Sequence, residues 1–456
     1  MHSCCNWKRA NPVRDIALAL FIFGTIPYIL MRPYVGLLVW SWIGYMNPHR
    51  LCYGFAISFP WVQLIAVVTL VSLVFSKESK KIPWSAVSVL LAMFLLWTGF
   101  TTFYAAVPDV AWVRWQEFAK VMVMVFVTLM LVDTRTRMHA LVWVIVISLS
   151  FYGIKGGVFT LLSGGGNRVY GPPGSFIGDN NDLAMALCMT MPLMRYLQLH
   201  SRSRIVRIGL GIGIALTGVG VLGTYSRGGL IGLAIVGVSL MVKSRRKLVI
   251  LLAVAVIGAT AIQFMPPEWS ARMATLQDAK QTDSGETRIQ SWKFATNVAI
   301  HRPLTGGGFE VYRSESLWLA YAPEGSIRRA IHSIYFRTLG EQGFVGLLLF
   351  LGLLFTTWRN CAKVRKRARG DPEKSWAFDL ASMLQVSMLA FMASGAFLPM
   401  PYFDLTYQLM ALSAVLAGCV LKQVAVQQTG GAAPLRGAHV SASDARGSAA
   451  REFTHG

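Results

Sequence analysis

Arginine grips a phosphate well, because its planar fork donates two parallel N–H bonds to one oxyanion group. Several arginines of this 456-residue chain stand in polar stretches between apolar runs. In Tyr225-Ser226-Arg227-Gly228-Gly229 an arginine sits beside two glycines that would let a phosphate approach the backbone. The same spacing suits an arginine that ends a helix and snorkels to a membrane surface. Arg168 opens a stretch through Gly171-Pro172-Pro173-Gly174 to Asp179-Asn180-Asn181-Asp182. This reads as a shaped loop with one cation and a carboxylate or two that could ligate a metal. For the acidic residues the simpler reading is a cap, Asn181 or Asp182, on a helix starting at Leu183. The largest polar segment, 266–337, carries Arg288, His301, Arg302, Arg313, Arg328, Arg329 and His332. Arg288 precedes an amphipathic helix and would serve equally as a solvated face residue. His332 stands where this segment re-enters apolar sequence at Ile334. Imidazole is the base available near neutral pH, so His332 is the candidate proton acceptor, against the ordinary alternative of a loop histidine with no chemistry. His301 precedes Arg302-Pro303 at a turn and reads as structural.

The elements that must hold these side chains are membrane spans. The chain is 54% hydrophobic and only 14% charged, well below the charge of a soluble protein. Apolar runs approach the roughly 20 residues that cross a hydrocarbon core. They cover 15–46, 59–75, 84–104, 117–132, 138–162, 183–199, 206–224, 228–242, 247–265, 341–358, 376–397 and 403–421. The net charge of +22 does not imply a nucleic-acid partner. The basic residues fall in short loops, Lys77–Lys81, Arg135 and Arg137, Arg202–Arg207, Lys243–Lys247 and Lys363–Arg369, which is positive-inside patterning. No cleavage site follows the first apolar run, which therefore reads as an uncleaved span. That run is broken at Arg32-Pro33 and is either one broken span or two short ones; a cytoplasmic Lys8 and Arg9 require it to cross once. The resulting expectation is an all-α polytopic membrane protein with about twelve spans and both ends inside.

Four polar segments then share the outer face: 105–116, 163–182, the turn at Ser226–Gly229, and 266–337. The last is nearly balanced in charge, as an exported segment can be, and helical spacing runs from Gly285 to Ile300. The expected organisation is an N-terminal bundle over 1–265, a large periplasmic loop over 266–337 carrying the chemistry, C-terminal spans over 338–421, and a disordered tail over 422–456. The six cysteines show neither metal-ligand spacing nor a disulfide framework.

Four segments in one order carry a family pattern. They are Arg168 with Gly178-Asp179-Asn180-Asn181-Asp182-Leu183-Ala184, Thr224-Tyr225-Ser226-Arg227-Gly228-Gly229, Arg288-Ile289-Gln290-Ser291-Trp292 with Pro303-Leu304-Thr305-Gly306-Gly307-Gly308, and His332-Ser333-Ile334-Tyr335 with Gly340-Glu341-Gln342-Gly343. Over about 150–360 the chain resembles the O-antigen ligase (WaaL) family, in the superfamily that also holds the Wzy-type polymerases. Ser333 stands where that family commonly has Asn. The N-terminal part, with Arg32-Pro33 and Trp40-Ser41-Trp42, is similar to O-glycosylation ligases linked to exosortase systems. The resemblance implies a GT-C-like glycosyltransferase of the bacterial inner membrane, acting at its periplasmic face. The donor would be a glycan on undecaprenyl diphosphate, and the acceptor a hydroxyl of lipid A–core oligosaccharide. It implies His332, Arg227 and Arg288 as catalytic, and Arg168, Arg227, Arg288, Arg313, Tyr335 and Glu341 as contacts to diphosphate or glycan.

The residues agree with this in kind. No Rossmann or phosphate-loop motif suggests a nucleotide cofactor, and no DxD-type motif suggests a metal. Three arginines could neutralise a diphosphate leaving group by themselves. An acidic leaving group also removes the need for paired carboxylates. A polymerase, a protein O-glycosylation ligase and, more distantly, a lipid-linked glycan transporter remain the other readings. The transporter fits less well, because spans 84–104, 206–224 and 228–242 lack interior ionisable residues.

Overall fold

In a computed structural model, the described residues are 12–78, 80–243 and 283–430. Among them all regular elements are helical. The first nine helices are α1 (Pro12–Met31), α2 (Pro33–Met46), α3 (Trp61–Phe75), α4 (Ala86–Phe103), α5 (Pro108–Leu131), α6 (Arg135–Leu162), α7 (Asn180–His200), α8 (Arg204–Gly223) and α9 (Arg227–Lys243). After 282 come α10 (Asp283–His301), α11 (Glu315–Tyr321), α12 (Ile334–Ala368), α13 (Ser375–Gly395) and α14 (Asp404–Gly430). Seven of these are long and apolar enough to cross a membrane: α1, α4, α6, α8, α12, α13 and α14. Helices α3 and α9 are shorter apolar ones, and the expected span 247–265 lies outside the described residues.

Burial ranks the helices. In α14, 83% of the apolar window is buried, against 22% in α1 and 28% in α8, so α14 is central and the other two peripheral. Leu20, Phe75, Leu96, Ile205 and Phe355 are exposed, which in water would be an aggregation surface and in lipid is the natural one. Helices α6 and α8 approach very closely: a Cβ on Gly157 would lie 2.0 Å from the Leu216 carbonyl oxygen. Such small-residue contact is how helices gain dispersion energy where no hydrophobic drive acts between them.

The run 15–46 does not cross once. Proline at 33 prevents Arg32 from continuing α1, and α2 returns antiparallel. Buried Asp15, in the first turn of α1, accepts hydrogen bonds from the amides of Gly54 (3.0 Å) and Ala56 (2.9 Å), beyond the end of α2. Ser72, near the end of α3, donates to the Ile29 carbonyl at the far end of α1. The start of α1 therefore lies at the same bundle end as 47–58, which corrects the single crossing that the charge argument required. The expected outer loop 105–116 is mostly the start of α5, with Pro108 at its first position. The last helix continues to Gly430, into the stretch expected to be disordered; 422–429 contains no Gly or Pro to stop it.

Basic loops gather at one end of the bundle. Arg137 bonds Glu78 at 2.8 Å and lies over the Tyr34 ring, tying together the α1–α2, α3–α4 and α5–α6 connections. At the other end, Ala106 donates to the Gly307 carbonyl, Asn180 to the Thr224 carbonyl, and Arg337 to the Pro399 carbonyl. The described parts of all four polar segments meet there, joined by 47–58 and by the turn 396–403.

Asp15 should be a keystone of the N-terminal hairpin. Removing a charged acceptor strands its buried N–H donors, so Asp15→Ala is expected to cost about 3 kcal/mol. Thermal unfolding in detergent would measure this, and Asp15→Asn, which keeps an acceptor, should lose less.

Candidate functional site

The segments that carry Arg168 and Arg227 are joined through one residue. Tyr225 ends the turn after α8 with φ of 57°, a left-handed conformation that an aromatic residue rarely adopts. Its hydroxyl donates to the Gly165 carbonyl and its ring carries the Arg168 guanidinium at 5.5 Å. Val169 donates to the Gly223 carbonyl, which docks the Arg168 strand onto the same turn. Arg227 then opens α9, and a Cβ on Gly228 would meet Leu398 and the Ser394 carbonyl at 3.4 Å. The arginine turn thus abuts the 394–398 region.

The second group is built on α10, whose extent matches the helix expected from Gly285 to Ile300. Arg288 and Trp292 are four residues apart and so share a face. Trp292 stacks on Phe336 at 5.0 Å and donates to the His332 carbonyl at 3.3 Å, fixing the segment just before α12. Phe294, Val298, Val311, Trp318 and Ile331 form a small separate core beneath this segment. Burial, and then the charges of Arg288 and Arg337, push the His332 imidazole down to about 4, with Asp179 opposing. Burial and the two guanidinium charges thus favour the neutral imidazole. His301 accepts no such role: at the end of α10, its ring bonds the Asn297 carbonyl and packs on Tyr321.

Arg337 is the centre that sequence reasoning missed. Its guanidinium donates to Glu341 Oε1 at 2.9 Å, to Glu310 Oε1 at 2.6 Å and to the Pro399 carbonyl at 2.7 Å. Glu341, expected to touch substrate, is fully buried, and its oxygens also accept from the Glu310 amide and the Tyr402 hydroxyl. It is paired internally with Arg337. Glu310 is also shared by Tyr312 and Arg313. Burial raises the Glu310 carboxyl, but Arg337, Tyr312, Arg114 and Arg313 outweigh it and hold the group below the usual range. Arg313 is thus in an ion pair at 2.9 Å, half exposed at the rim. Tyr335 spends its hydroxyl on the Met392 carbonyl. A signal for Arg337 was present in its four-residue spacing to Glu341, because a carboxylate entering an apolar run needs a partner.

Helix α12 is broken at Gly343, with φ 70° and ψ −173°. The break frees three carbonyls. Gly307 and Gly308 donate to those of Gly340 and Glu341, and the Trp97 indole to that of Gln342. The motif Pro303–Gly308 is therefore zipped to a membrane helix by main chain.

The acidic stretch differs from its expected form. Asp179, not Asn181 or Asp182, caps α7, its side chain accepting from the Asn181 amide at 2.8 Å. Asp182 faces a cavity of about 350 Å³ that Arg337, Glu310 and Tyr402 also line. Its Oδ1 is buried with no hydrogen-bond partner. Just outside the apolar run from Leu183, burial and the Asp179 charge raise this carboxyl to about 7, against the pull of Arg337. The segments bearing these groups share a neighbourhood: Asn180, in α7's first turn, bonds the Thr224 carbonyl, Gly228 abuts Ser394 and Leu398, Arg337 bonds the Pro399 carbonyl, and Phe397 lies 6.3 Å from Trp292.

Two family models match the chain. Residues 13–202 match a family of unknown function (DUF5935), and residues 212–351 match the family described as O-Antigen ligase. No curated protein matches it. The second match contains Arg227, Arg288, His332 and Arg337, so over 212–351 the chain is similar to the O-antigen ligase family.

Proposed function

We propose that this protein transfers a glycan from undecaprenyl diphosphate to a hydroxyl of lipid A–core oligosaccharide, at the periplasmic face of the inner membrane and with inversion. The O-antigen ligase domain supports a ligase- or polymerase-type activity on lipid-linked glycans. The observation that carries the finer reading is His332 in the field of Arg288 and Arg337, at the bundle end that also holds Arg168 and Arg227. In this reading 266–337 is the exported loop.

The acceptor oxygen attacks the anomeric carbon while the bond from that carbon to the phosphate oxygen breaks. The electron pair leaves with undecaprenyl diphosphate, whose growing charge Arg168, Arg227 and Arg288 neutralise. His332 Nδ1 or Nε2 takes the acceptor's proton. A base whose conjugate acid titrates near 4 is weak, first because it is buried, but Arg288, which weakens it further, is among the cations a diphosphate would cover. Donor binding therefore strengthens the base at the moment it is needed.

His332→Ala should retain donor binding and lose about 10²- to 10⁴-fold in turnover, the usual cost of removing a general base. A wild-type rate would pass the role to Asp182 or to no protein group. In wild type, the acid limb of kcat/KM for the donor should fall near pH 4, set by His332 in the free enzyme. The limb of kcat should lie at higher pH, because the bound diphosphate offsets Arg288. Coincident limbs would contradict this coupling.

Arg227→Lys keeps the charge but loses the two-pronged geometry, so transfer should still be impaired by about tenfold or more. Transfer assays on the purified variant check this, and full activity with normal donor binding would remove the fork from the mechanism.

A further inference from the structure

A second cavity of about 520 Å³ lies beside the first, and the two share Arg114, Glu117, Val121, Ser175 and Phe176. Together they form one cleft that runs from Arg337 and Asp182 outward to the 47–63 connector. The outer part is built almost wholly by residues 40–176, within the matched region whose function is unknown.

The lining has a definite chemistry. Phe59 and Phe176 are exposed aromatic faces, which suit the apolar faces of sugar rings. Among the charged residues, Arg50, Arg114 and Lys120 face Glu117 and Asp404. Both carboxylates are already engaged: Glu117 pairs with Arg114 at 2.8 Å, and Asp404 is buried and accepts the Leu405 amide at 2.7 Å. Exposed Arg50 and Lys120 therefore set the sign of the field that a ligand meets, and it is positive.

Position supplies the role. The inner part of the cleft reaches Ala330, two residues before His332, and Asp182, three residues after Asp179, whose charge His332 feels. The cleft approaches from α5, which packs on α2, α4 and α14. Arg227 arrives on α9, which packs on α7, α8 and α13. An in-line displacement needs the incoming hydroxyl and the departing diphosphate to use different approaches, and these two are different.

We infer that the outer cleft is the acceptor subsite and takes an anionic glycan, one bearing phosphate or carboxylate groups, with Arg50 and Lys120 on the anion and Phe59 and Phe176 on sugar rings. This rests on the transfer reading above.

The test uses the full chain in lipid nanodiscs and three probes: phosphorylated core oligosaccharide released from lipid A, the same oligosaccharide after phosphatase treatment, and intact lipid A–core. Binding is titrated without donor, and turnover is followed separately with lipid-linked donor. Arg50→Gln and Lys120→Gln should each weaken binding of the phosphorylated oligosaccharide and raise its KM by about tenfold, the loss expected for one charge-assisted hydrogen bond. The donor KM should not move, and the phosphatase-treated probe should bind wild type and variants alike. Phe176→Ala should weaken both oligosaccharides equally. Variants that bind the phosphorylated probe normally while wild type turns over would overturn the subsite and leave the transfer reading standing. Charge-dependent binding without any turnover would uphold the subsite and sink the transfer reading. A loss confined to intact lipid A–core would move the anion to the lipid headgroup, and competition by a Ser/Thr-containing peptide in place of the oligosaccharide would make the acceptor a protein; either result overturns the glycan assignment.

Discussion

A guanidinium whose nitrogens are committed to two buried carboxylates fixes every element that brings one of them, and Arg337 is in that position. Glu341 is four residues along its own helix, Glu310 belongs to the turn after α10, and the Pro399 carbonyl belongs to the α13–α14 connection. Tyr402 and Gln342 extend the network to that connection, and Thr101 donates to Gln342 from α4. Buried ion pairs of this kind repay their desolvation only when every lone pair is used, and losing one partner is costly because the other charge is left buried. The network does more for alignment than for net stability: it registers the loop, α4, α12 and the last connection against one another, and the cavity wall follows.

This arrangement also explains why the cations nearest His332 are of two kinds. Arg337 is neutralised internally, and its field on His332 is fixed. Arg288 is half-buried on α10, and in the proposed reading it is where a ligand's charge acts. A site with one constant and one adjustable cation lets occupancy change the basicity of the imidazole without moving the backbone.

Much of the fold was legible because hydropathy and basic loops report directly on lipid contact; α4, α6, α8 and α13 fall close to their expected ranges. The N-terminal hairpin was not. Positive-inside bias treats Lys8 and Arg9 as topological signals, whereas the turn at Arg32-Pro33 and the Asp15 bonds to Gly54 and Ala56 depend on contacts some forty residues apart. At the site, the segments bearing Arg168, Arg227, Arg288 and His332 were readable as residue types suited to a diphosphate and a proton. Arg337 was not, since its meaning depends on Glu310, 27 positions earlier, and on Pro399, 62 later. The motif that holds Glu341 was visible in the sequence, and its burial and its pairing with Arg337 were not.

The break in α12 at Gly343 carries a consequence for how such a site can change over time. Loop 303–308 is held to the membrane helix through peptide groups, so its anchorage does not depend on which side chains the rest of the loop carries. Only the glycines are constrained: a Cβ on Gly306 would come within 2.6 Å of the Gly340 oxygen, and one on Gly343 within 2.3 Å of the Leu304 oxygen. Exposed residues beyond it, such as Leu319 and Ile327, can then change, in the proposed reading to suit a new sugar, while the imidazole and its cations keep their registration. A fixed seam beside a free surface lets specificity diverge while the reaction is conserved.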